Sequence, residues 1–168
     1  MRHRFLVPSL VLVIGCAFTL TSCAGADQEG SAAHRMSVWT SGTTLGEDIG
    51  TLIADNARVA KDVPNGTGAV HAACATTLND AEMANTNLPS PDPDVTELLT
   101  KAYGLEGTSA NQCFTAGASD KKLLAESARN AIKAEALYQQ VLQRIRQIDG
   151  RTVSTTTTTD NSSGSIFG

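Results

Sequence analysis

SDKKLLAESARNAIKAEALYQQVLQRIRQIDG, residues 119–150, is the stretch that decides the fold. Ala131, Ala134, Tyr138, Val141, Ile145 and Ile148 recur by three and four, and Leu124 extends the series backward. That spacing places them on one stripe of an α-helix, because side chains three and four apart share a face. Lys122, Arg129, Lys133, Arg144 and Arg146 share the other faces with Glu126 and Glu135. Ser119 reads as the N-cap and Gly150 as the stop. The period suits the seam of a helical bundle.

Three further helical patterns precede this one. In the first, Thr44 and Glu47 have capping-box spacing, followed by a stripe of Leu45, Ile49, Leu52, Asn56 and Val59. Pro64-Asn65-Gly66 is a turn. The second runs from about Gly68 to Asn87, with Val70, Cys74, Thr77, Ala81 and Ala84 aligned, and Pro89-Ser90-Pro91 breaks it. The third opens with Asp92 as N-cap and Pro93 as first residue, and holds Val95, Leu98, Leu99 and Ala102. Gly104 and Gly107 predict a kink or break before the last turns reach Cys113 and Phe114. The expected fold class is all-α: an antiparallel up-down four-helix bundle over residues 42–150, its third helix kinked, tied by one disulfide.

Residues 1–22 have the parts of a signal peptide: basic Arg2, His3 and Arg4, then a largely apolar Phe5 to Leu20, with no acid before Cys23. The apolar run is short for a spanning helix, which needs ~20 residues. Leu20-Thr21-Ser22-Cys23 resembles the lipobox of bacterial lipoproteins. That resemblance covers Met1 to Cys23. It implies cleavage before Cys23, lipidation of its sulfur, and an anchor on the outer face of a cell membrane. Ala24-Gly25-Ala26 offers the alternative of plain cleavage and secretion. The Ala-rich remainder, poor in aromatics, is similar to uncharacterised lipoproteins of high-GC Gram-positive bacteria, a likeness that carries no functional residues.

Loss of Arg2 and Arg4 leaves 11 basic against 17 acidic residues, a net charge of −6. Such a surface argues against nucleic acid as a partner. Few aromatics remain, so the core must be Ala, Leu, Ile and Val. Residues 23–41 carry no apolar period and read as the lipidated cysteine and a flexible tether; residues 151–168 read as a disordered Thr/Ser tail.

Cleavage removes Cys16 and lipid consumes Cys23, leaving Cys74 and Cys113. An even pair in an oxidising compartment predicts a disulfide. Cys74 lies in the first half of the second helix and Cys113 near the end of the third, levels that antiparallel neighbours bring together. The disulfide also removes the thiolates from any zinc or copper site built on His71, Cys74 and Cys113. No metal, haem or other cofactor is indicated. Asp80 and Glu82, two apart on a helix, point in different directions and make no acid–base pair. His34 falls in the tether, and no Ser-His-Asp arrangement is recoverable. Gly104-Leu105-Glu106-Gly107 lacks the strand–loop–helix context of a phosphate loop. Tyr103 and Phe114 flank the expected break, where a bent helix would open a ligand pocket. The expected function is therefore a non-catalytic, membrane-anchored binding or scaffolding domain with an envelope protein as partner. The alternatives are a carrier of a small apolar ligand beside Gly104–Gly107, and an unrecognised envelope enzyme.

Overall fold

The computed structural model describes residues 30–150. The segment expected to be a signal peptide, Cys23 and the Thr/Ser-rich residues 151–168 lie outside the described residues. Five α-helices follow in order: α1 Ala32–Gly42, α2 Leu45–Asp62, α3 Thr67–Asn85, α4 Pro93–Ala116 and α5 Lys121–Ile148, with a short 3-10 turn at Val63–Asn65 after α2. None of the described helices is long and apolar enough to cross a membrane.

Local chemistry sets the helix starts. The Asp92 carboxylate accepts the Val95 amide at 3.0 Å and Pro93 is the first helical residue. α5 is capped by Asp120, which accepts the Leu123 amide at 3.0 Å, one residue beyond the expected Ser119. The capping box expected at Thr44 and Glu47 does not form. The Thr44 hydroxyl bonds the Asp48 carboxylate instead, at 3.0 Å.

α1 occupies residues expected to be tether. Ser31 caps it by accepting the His34 amide, Met36 is buried, and Trp39 donates its indole N–H to the Asn87 carbonyl at 3.2 Å. Burial of Met36 in the main core and the Trp39 bond to the segment after α3 suffice to hold a short helix with no periodic stripe, since tertiary burial outweighs weak amphipathicity.

No break occurs at Gly104 and Gly107: α4 is one continuous helix through both. An interior glycine costs a helix roughly 0.5–1 kcal/mol, less than is gained by burying Leu99, Ala102, Tyr103 and Ala110 on the same helix. A Cβ at Gly104 would meet nothing, so the backbone there has no need of glycine. Gly117 is different. Its φ of +55° ends α4, and a Cβ would come within 2.6 Å of Thr67 Cγ2 at the start of α3.

α4 and α5 share the largest interface, and α3 packs on α2 and α4. Ser109 and Ser127 each donate a hydroxyl to the other's carbonyl at 2.9 Å, and Arg144 binds Asp92 at 2.9 Å. The numbers run in opposite senses, so α4 and α5 are antiparallel. Ala102, Ala110, Ala131 and Ala134 are buried on these two helices, which lets the backbones approach closely. The main core gathers Met36, Leu52, Val95, Leu99, Tyr138 and Val141. A smaller cluster surrounds Val70, Cys74 and Cys113. The Cys74–Cys113 disulfide is present, with Cα atoms 5.9 Å apart.

Candidate functional site

Two features draw attention: a groove between α2 and α5, and a group of buried polar side chains beneath one end of it. α2 and α5 barely meet, in contrast to every sequential pair from α2 onward. The gap is a cavity of about 580 Å³, a size typical of small-molecule sites. Ile53 and Val59 of α2 and Val63 of the turn after it line one wall; Leu124, Ala128 and Ile132 line the α5 wall. Thr77, Ser109, Ala110 and Cys113 form the floor. Ile132 is exposed at the rim. Small residues of α5 (Ala125, Ala128, Ala131) face α2 where larger ones would close the gap. From Lys121 to Glu135 the groove runs along fourteen residue steps of α5, about 21 Å at 1.5 Å per step.

At the Glu135 end, Asn56 enters the groove from α2. Its Nδ2 donates to both carboxyl oxygens of Glu106, each at 3.1 Å. Glu106 is completely buried on α4. Burial pushes its carboxyl up to about 7; Asp55 and Glu135 push the same way, and Asn56 and Tyr138 only partly offset them. The Tyr138 hydroxyl comes close enough to perturb Glu106 but is buried without completing a hydrogen bond. Burial and the Glu106 charge raise this phenol far above the ordinary tyrosine range.

Asp55, one residue before Asn56, is also buried, and its Oδ2 has no partner. Desolvation and the neighbouring Asp80 raise it to about 6, against the pull of Arg58. Two acids, an amide and a phenol from α2, α4 and α5 thus converge inside the domain. Unpaired buried polar groups are costly, and perturbed acids collect where a protein does something besides fold.

The residues singled out by sequence are not brought together as expected. Tyr103 is buried against Tyr138, with ring centroids 6.0 Å apart. Phe114 lies three turns further along α4, exposed on the surface, stacked on His71 at 4.3 Å. Neither lines the groove. α4 is unbroken at Gly104–Gly107, and the cavity lies instead between α2 and α5. The Cys74–Cys113 bond leaves His71 without thiolate neighbours, and among the described residues no group of three or more His, Cys, Asp or Glu is placed to hold a metal ion. Asp80 turns toward Asp55 while Glu82 is exposed.

Sequence reasoning passed over Glu106, Asp55 and the groove. The signal for Asn56 was present: a polar residue on the apolar stripe of α2. Glu106 falls on the stripe of Leu99, Ala102 and Tyr103 continued to Ala110 and Cys113, a pattern masked by the expected break.

The chain matches no family model, no curated protein and no solved structure.

Proposed function

We propose that this chain is a lipid-anchored, non-catalytic binding domain of the cell envelope that holds a small apolar ligand in the α2–α5 groove. In this reading Cys23 carries the lipid and the polypeptide stands outside the membrane, α2 to α5 form an antiparallel four-helix frame, and α1 is laid across one end. The groove is the observation that carries the proposal: about 580 Å³, apolar on both walls, and open along its rim.

A binding role is supported over catalysis by where the reactive groups sit. Glu106 is sealed beneath Asn56, and His71 stacks on Phe114 outside the groove lining. No nucleophile and base face one another in the groove.

The test is fluorescence of the apolar probe N-phenyl-1-naphthylamine added to the soluble domain. Emission is expected to rise on mixing and to saturate at one probe per chain. Ala128→Trp, which fills the groove from α5, is expected to abolish the rise while leaving the helical circular dichroism unchanged. No rise with the parent protein, or an equal rise with the filled variant, overturns the proposal.

A further inference from the structure

We infer that the groove selects an apolar molecule bearing a hydrogen-bond donor, a hydroxyl or a primary amine, and discriminates against a carboxylate. The inference rests on the groove being a ligand site and deepens that reading.

The polar atoms that reach the groove are few, and apart from Lys121 at its far end their donors are largely used. Thr77 gives its hydroxyl proton to the Ala73 carbonyl at 3.1 Å. Ser109 and Ser127 give theirs to each other's carbonyls. Cys113 has no S–H, being bonded to Cys74. Helix amides on the floor are consumed by the helix itself. Asn56 commits its Nδ2 to the two oxygens of Glu106. Because a carboxyl group with both oxygens facing an amide calls for the NH₂ side, Glu106 fixes the amide orientation. Asn56 Oδ1 is then left turned away from Glu106, with no partner among the described residues, on a half-buried side chain that lines the groove.

The inner end of the groove is therefore richer in acceptors than in donors, because the Asn56 Nδ2 is drawn to Glu106 while its Oδ1 is not. Glu106 lies behind Asn56 and Glu135 stands at the same end. A hydroxyl or ammonium placed there is complemented by the Asn56 carbonyl and by these acids. A carboxylate meets mainly acceptors and like charge, and its water is poorly replaced. Lys121, the one cation of the lining, stands at the far end and is exposed, so it cannot rescue a carboxylate at the Asn56 end.

The experiment displaces bound N-phenyl-1-naphthylamine with dodecanol, dodecylamine and dodecanoate, which share a chain and differ in the head group. Alcohol and amine are expected to displace the probe at concentrations about tenfold or more below dodecanoate, the scale of one buried hydrogen bond gained or lost. Asn56→Leu is expected to narrow that gap to about twofold, read as the ratio of the three competitors against that variant's own probe affinity. Glu106→Gln, whose amide can either donate or accept and so releases the Asn56 orientation, is expected to narrow it as well. Equal displacement by all three, or dodecanoate as the best competitor, overturns the head-group assignment and leaves the groove standing. Failure of the probe itself to bind removes the groove reading instead.

Discussion

Glu106→Gln is expected to make the protein more stable at pH 8, by roughly 2–3 kcal/mol, with the gain fading to little near pH 4. The reason is the burial of a carboxyl that has no cation beside it. Its folded-state value is raised from 4.5 to about 7. A raised acid contributes its full stability below the unfolded value, loses it as pH climbs toward the folded one, and changes nothing further above that. For Glu106 the window is about pH 4.5 to 7. A shift of this size corresponds to about 3 kcal/mol at 1.36 kcal/mol per unit. The expected gain is set a little lower because Asp55 and Glu135 act on the same site. Glutamine keeps the shape and still accepts from Asn56. Asp92, held low mainly by its hydrogen bond with Arg144, loses its contribution on the acid side and shapes the same curves. The difference between variant and parent cancels it. Urea unfolding of both proteins at pH 4.5 and pH 8 measures the effect. A variant less stable than the parent at pH 8 would show that the Glu106 charge supports the fold.

Reducing the Cys74–Cys113 bond is expected to lower the unfolding free energy by about 4 kcal/mol on the chain-entropy estimate for a loop of this length. The two cysteines are 39 residues apart in sequence. Such an effect is a large share of the ~5–15 kcal/mol that holds a typical domain together. It matters more here because the core around the bond is thin: Val70 is the other fully buried apolar side chain of that cluster, with Val59, Val63 and Leu124 packed at its edge. Those edge residues also line the groove. The bond therefore secures the floor at the Lys121 end while leaving α2 and α5 apart. Unfolding curves with and without reductant, fitted for midpoint and slope, give the result; coincident midpoints would contradict it.

Much of this architecture was legible in residues 44–150, because the stripes of α2, α3 and α5 and the Asp92-Pro93 start of α4 are local signals. The cysteine pairing followed from levels on neighbouring helices. What escaped was governed by tertiary placement. α1 has no stripe, and Met36 and Trp39 become an anchor only when the main core and the segment after α3 are beside them. Gly104 and Gly107 carry a local helix penalty that packing on either side of them outweighs. Tyr103 and Phe114 looked like neighbours across a bend, yet three turns of intact helix place one in the core and the other on the surface. The groove escaped because it is a gap between two helices that are not neighbours in sequence, lined on α5 by Ala125, Ala128 and Ala131, which are too small to fill it. A polar residue on an apolar stripe is the lasting clue: Asn56 and Glu106 both sit on core-facing lines of their helices, and each contacts the other.

The groove as the ligand site is tested most directly by mapping dodecanol binding onto backbone amide resonances of the labelled domain. Shifts are expected to cluster on α2 around Asn56 and Ala60 and on α5 around Ala128 and Ile132, with Trp39 and the His71–Phe114 face unmoved. Shifts centred instead on the exposed apolar side chains Val38, Met83 or Phe114, or no shifts at saturating dodecanol, would contradict it.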